Sequence, residues 1–312
     1  MGGWDRPKKR RKGLAELRDA LDKDDTMVNR CFYRWGNRCT LLNDAVALPD
    51  IDVVNILLDH GADPNILCGD DNNLHNSFFT ASVTRGNRTE AMVLTLIKHG
   101  LEINAMMPET VNDRGYPNSN STALHYVCSD GNYKFARILL DHGADVFAVD
   151  SEGMTPLSKA VTPAQNSRRN DEVLITVRTL VAYGADLHAI DIRGQTLLHR
   201  VAKYPCSTPY NMELVRYLVY MGVPDILDFK GMSACDVAKK EFGFNPGVLQ
   251  QSRLFCTRFQ TILDEHKQHL VAFALGNHQR GPRAHSKRRE GGVVARTEWQ
   301  KMRGKRPLVD ED

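Results

Sequence analysis

One short phrase returns along the chain, and it limits the fold more than any other feature. It reads His60-Gly61-Ala62-Asp63-Pro64-Asn65, then His99-Gly100-Leu101-Glu102-Ile103-Asn104 and His142-Gly143-Ala144-Asp145-Val146. It comes back as Tyr183-Gly184-Ala185-Asp186-Leu187 and, most altered, as Met221-Gly222-Val223-Pro224-Asp225. A second phrase alternates with it. Thr122-Ala123-Leu124-His125, Thr155-Pro156-Leu157-Ser158 and Thr196-Leu197-Leu198-His199 are the clear copies, and degraded ones start at Thr40, Asn72 and Ser233. Before each glycine runs an amphipathic stretch with apolar residues three and four apart, such as Phe135, Ile138 and Leu139; that spacing predicts a helix with one apolar face. Gly61, Gly100, Gly143, Gly184 and Gly222 sit where a left-handed residue ends such a helix. A lone helix pair cannot bury its apolar face, so the units must stack on one another.

Asp150-Ser151-Glu152-Gly153-Met154-Thr155-Pro156-Leu157 and Leu139-Leu140-Asp141-His142-Gly143-Ala144-Asp145 carry the pattern in its fullest form. The chain here resembles the ankyrin-repeat family over about residues 40–245, with five fuller repeats and a truncated sixth starting near Gly231. The resemblance implies an all-α ankyrin-repeat solenoid of helix-turn-helix units joined by β-hairpin loops. It also implies a binding role rather than catalysis, and it gives His75, His125 and His199 a structural duty, bonding backbone between repeats. No phosphate loop, kinase set, nucleophile elbow or zinc-protease motif occurs, and no enzyme, metal or cofactor is expected.

The copies depart from the family's period of about 33 residues. Insertions fall inside three repeats, at 84–88, 162–170 and 204–209, and their Gly, Pro, Asn and Ser content predicts lengthened loops between the two helices. A further ten or so residues lengthen one hairpin between Met106 and Pro117, bringing Arg114 and Tyr116 to its tip. The reading of this finger stays divided between an adaptable contact surface and a tolerated surface insertion.

Family members bind partners with hairpin tips and the exposed face of the first helices. Position by position, the resemblance puts Ser151, Glu152, Met154, Ile192, Arg193, Tyr204, Phe229, Lys230 and Met232 on that face, beside Arg114 and Tyr116 of the finger. Apolar anchors next to Arg and Lys suit a protein interface, so a protein partner is expected.

Charge is divided along the chain. Both termini are basic, although the total is only +3, so the body between them is acidic. Lys8-Lys9-Arg10-Arg11-Lys12, after Pro7, resembles a nuclear-import signal, and Lys287-Arg288 with Lys301 to Lys305 resembles the bipartite form. An import receptor is then a partner, and the chain is intracellular, nuclear or cytoplasmic. The same arms suit phosphate contacts, which leaves a nucleic-acid-associated factor as an alternative. A ubiquitin-ligase adaptor is another alternative, weakened because Leu254-Phe255-Cys256 lacks the expected spacing. No run of about 18 apolar residues predicts a membrane span. Seven cysteines with no Cys-x-x-Cys predict reduced thiols. The expected organisation is a basic disordered arm over 1–13, a solenoid over 14–245 with a capping helix at 14–24, a capping helix over 246–278 and a basic disordered tail over 279–312.

Overall fold

The computed structural model describes residues 6–34, 37–70, 73–83, 89–107, 110–111, 117–118, 120–162, 170–203, 209–242 and 246–278. The chain divides into two compact units, residues 1–156 and 157–312.

The first unit opens with α1 (Arg6–Lys23) and a single 3-10 turn (Asp25–Met27). A hairpin follows, β1 (Phe32–Arg34) and β2 (Asn37–Cys39), then the helix pair α2 (Leu41–Ala47) and α3 (Ile51–Asp59). β3 (Cys68–Asp70) and β4 (Asn73–His75) lead into α4 (Ser77–Val83) and α5 (Thr89–Lys98). β5 (Met106–Met107), β6 (Thr110–Val111), β7 (Pro117–Asn118) and β8 (Ser121–Thr122) lead into α6 (Ala123–Ser129) and α7 (Tyr133–Asp141). First helices pack on first helices, α2 on α4 and α4 on α6, while the second helix α3 packs on α5. Strands β1 to β4 form one antiparallel sheet in chain order. In the lengthened hairpin β5 pairs with β8, and β6 with β7 through Val111 opposite Pro117. The β6–β7 pair therefore lengthens the hairpin beyond β5 and β8, while Arg114 and Tyr116 lie outside the described residues.

The second unit contains α8 (Pro156–Ala160), α9 (Asn170–Ala182), α10 (Leu197–Lys203), α11 (Pro209–Tyr220), α12 (Ala234–Phe242) and α13 (Pro246–His278). Here α10 packs on α12, α9 on α11, and α13 on both α11 and α12. Phe255, Phe259, Ile262 and Leu263 of α13 are buried. The three inserted stretches fall between the helices of a pair, bounded by Val83 and Thr89, Ala160 and Asn170, and Lys203 and Pro209.

The repeated glycines end their helices as the sequence predicts. Gly143 has φ +91°, and beyond it the Ala144 N–H reaches back to the Leu139 carbonyl at 2.9 Å. Ala62, Leu101, Ala185 and Val223 make the same bond. This six-to-one closure satisfies carbonyls that the helix itself leaves open. Asp50 and Asn132 cap the starts of α3 and α7 by accepting the N–H of Val53 and Phe135.

The basic run corrects one expectation. Lys8, Lys9, Arg10, Arg11 and Lys12 are not an extended arm but lie within α1. Lys and Arg are good helix formers, and Pro7, as the second residue of α1, falls in the first turn, where its missing N–H costs nothing. At its far end the helix is tied down. Leu21 is buried, and Asp22 Oδ1 meets His60 Nε2 of the first repeat at 3.1 Å. The tail over 279–312 lies outside the described residues.

Candidate interaction face

Three turns of the same construction present the candidate residues. Each begins with an aspartate whose carboxylate accepts two N–H groups further along. Asp150 Oδ1 accepts those of Glu152 (2.8 Å) and Met154 (2.9 Å). Asp191 Oδ1 accepts those of Arg193 (2.8 Å) and Gln195 (2.9 Å). Asp228 Oδ1 accepts those of Lys230 and Met232, both at 2.9 Å. An aspartate that bonds its own backbone two residues on is a self-sufficient turn former. The fourth residue is Gly153, Gly194 or Gly231, each with positive φ. Aspartate and glycine thus build the turn, and the second of the two residues between them contributes its backbone N–H.

Those two middle positions carry the apolar and charged groups. Ser151 is exposed and Glu152 half-buried; Ile192, Arg193, Phe229 and Lys230 are all exposed. Ile192 is 61% and Phe229 74% accessible. Met154 is corrected: only 4% of it is accessible. It follows the turn glycine, where the chain heads back toward the first helix, so its side chain enters the core while its carbonyl accepts the His125 Nε2–H at 2.9 Å. Met232, at the same place in the last repeat, is half-buried, and its carbonyl accepts from His199 Nε2 at 3.0 Å. Tyr204 lies outside the described residues.

In the second unit neighbouring turns are fastened together. The Phe229 N–H donates to the Arg193 carbonyl at 3.0 Å. The Gln195 amide reaches Asp228 Oδ2 at 3.3 Å. Burial works to raise the Asp228 carboxyl, but the N–H groups of Met232 and Lys230 and the Gln195 amide outweigh it, and its pKa falls below the usual carboxylate range. Beneath the first turn, Arg200 of α10 forms an ion pair with Asp191 Oδ2, both side chains being almost fully buried. The Phe229 ring lies over Gly194: a Cβ there would meet its Cδ1 at 2.6 Å.

The structure adds residues that the position-by-position reading left out. Val149, Ile190 and Leu227 are exposed, each two residues before Ser151, Ile192 and Phe229. In extended chain, residues two apart share a side. That period-two signal was present in Ile190-Asp191-Ile192 and Leu227-Asp228-Phe229.

In the first unit an asparagine ladder fastens the turns at the other end of the hairpins. Asn29 Nδ2 donates to the Gly61 carbonyl, and its Oδ1 accepts the Asp63 N–H. Asn65 does the same with Gly100 and Glu102, and Asn104 with Gly143 and Asp145.

His125 and His199 each bond the backbone of the following turn. His125 Nδ1 accepts the Thr122 N–H at 3.2 Å, so its proton sits on Nε2 and points to Met154. His199 repeats this with Thr196 and Met232. The His75 side chain is outside the described set. Burial pushes the Cys235 thiol up to about 12 and raises Cys128 as well, the opposite of an activated nucleophile. Among the described residues no cluster of three His, Cys, Asp or Glu could hold a metal ion, and no helix is long and apolar enough to cross a membrane.

Known proteins agree with this construction. Residues 83–174 match the family model for ankyrin repeats in three copies. Over 115 residues the chain is 32% identical to the ankyrin repeat protein FPV034 of Fowlpox virus (strain NVSL), covering 37% of this chain and 23% of that protein. Over 40 residues it is 52% identical to the potassium channel AKT3 of Oryza sativa subsp. japonica, covering 13% and 4%. The matched stretches thus span less than a quarter of either relative. Among solved structures, an ankyrin repeat domain from Acinetobacter baumannii AYE superposes with a TM-score of 0.53 at 19% identity, covering 72% of this chain and 97% of that one. Ankyrin repeats generally mediate protein–protein interaction and are typically non-enzymatic. Phrase, helix ending, histidine bond and family match all lead to one conclusion: the chain carries ankyrin repeats, matched over residues 83–174, and has their fold.

Proposed function

We propose that the protein is an interaction scaffold that holds a partner protein on its hairpin turns and first helices. The observation that carries this is the exposure of Ile192 and Phe229 at adjacent turns whose geometry needs neither side chain. Burying each against a partner yields about 1.5–3 kcal/mol, enough to act as anchors within a polar rim. Arg193 and Lys230 supply that rim. Ser151 and Glu152 occupy the corresponding positions of the Asp150 turn in the first unit, with a more polar character.

The scaffold works in the nucleus or the cytoplasm. The basic run supports nuclear entry through an import receptor, provided the start of α1 opens to an extended form. The test of the scaffold reading is partner capture by the full chain and by an I192S/F229S variant. Capture by the first and loss by the second, with an unchanged melting curve, is expected. Equal capture by both would overturn it.

A further inference from the structure

The last two repeats present the same pair of chemistries twice. Ile192 and Arg193 occupy the two middle positions of one turn, Phe229 and Lys230 those of the next. The Asp150 turn, built alike, carries Ser151 and Glu152 instead. The apolar–cation pair is therefore no requirement of the repeat. The Phe229 N–H to Arg193 carbonyl bond sets the two turns edge to edge, so the duplicated pairs adjoin. Further along the same repeat the last turn of α12 adds Lys239 and Lys240. Asp236 holds Lys239 at 3.3 Å, while Lys240 is exposed.

We propose that this surface takes an acidic peptide segment carrying bulky apolar side chains, a partner class that rests on the interaction-face reading above. Its apolar side chains cover Ile192 and Phe229, and its carboxylates face Arg193, Lys230 and Lys240. Charge complementarity of this kind sets the choice of partner and speeds encounter. A nucleic-acid strand fits less well. Such strands stack on aromatic platforms, whereas Ile190, Ile192 and Leu227 are aliphatic and Phe229 is the single aromatic among these exposed hairpin residues.

The test uses the full chain and fluorescence anisotropy. The probe is a labelled peptide alternating glutamate with leucine. Comparison probes are the lysine–leucine peptide and a labelled oligothymidylate of similar length. The glutamate peptide is expected to bind, to weaken as salt rises, and to lose about tenfold or more in affinity in K230E/K240E and in I192S/F229S. These lysines are exposed, so K230E/K240E keeps the wild-type melting curve. Equal binding of the two peptides overturns the proposal, as does unchanged affinity in K230E/K240E. Tighter binding of oligothymidylate, lost in the same variants, overturns it in favour of nucleic acid. A photo-crosslinker at position 192 separates the two readings. If it still captures the cellular partner in K230E/K240E, the interaction face stands and the acidic partner falls.

Discussion

Replacing Gly194 with alanine tests the placement of the main anchor. Gly194 has φ +74°, and the new methyl would lie 2.6 Å from Phe229 Cδ1 and 2.9 Å from Cγ. Two costs follow. The left-handed backbone costs an ordinary residue about 1–2 kcal/mol. The ring must also leave its seat, because Cγ is close to the backbone and a rotation about the outer bond does not move it away. Displacing the ring adds about 1 kcal/mol, the scale of an overpacked contact. Gly184 is the control within the same unit: its φ is +90° and a methyl there meets nothing within 4 Å. Urea unfolding should show G184A destabilised by about 1–2 kcal/mol and G194A by about 1 kcal/mol more. Adding F229A should remove that excess, so the double-mutant cycle shows a coupling of similar size. If G194A is no worse than G184A, or if F229A leaves the excess in place, Phe229 does not rest on this glycine and the seating of the anchor is wrong.

Other outcomes follow from single contacts. Asp191→Asn leaves Arg200 buried without its counter-charge and should cost about 3–5 kcal/mol by urea denaturation; a cost below 1 kcal/mol would mean the pair is solvated. Asn104→Ala removes two bonds, to Gly143 and Asp145, and should cost about 1–3 kcal/mol, with faster hydrogen exchange at the Asp145 amide. The His60 pKa is raised, first by its bond to the Ile56 carbonyl and then by Asp22. Because the folded state holds this proton more tightly, its stabilisation is complete below the free-histidine value of about 6.5 and fades as pH rises through the raised folded value. Exchange at α1 amides should therefore quicken relative to α5 as pH rises through that window, after correction for intrinsic rates, and His60→Gln should abolish the difference.

The repeat was legible because stacking demands it. Glycine at a left-handed helix end, threonine before a histidine, and leucines three and four apart each answer a local geometric need, and each recurs in the structure. The histidine bond to the next turn could be expected from the family and is present at His125 and His199. Legibility failed where a position's side depends on tertiary direction. Met154 belongs to a position that varies among ankyrin repeats, yet its chain segment is already returning inward. The basic run read as an arm because its charge was considered without its helix propensity, while Leu14, Leu17 and Leu21 sit on the same helix and the last of them anchors it. Ile190 and Leu227 lie off the consensus positions, and only the two-residue alternation of extended chain marks them.

Site-specific photo-crosslinking tests the interaction face most directly. A crosslinking amino acid is placed in turn at Ile192, at Phe229 and at Ile175, an exposed apolar residue of α9 within the same unit. The account predicts that one partner is captured from positions 192 and 229 and not from 175. Capture from 175 with none from 192 and 229 would contradict it.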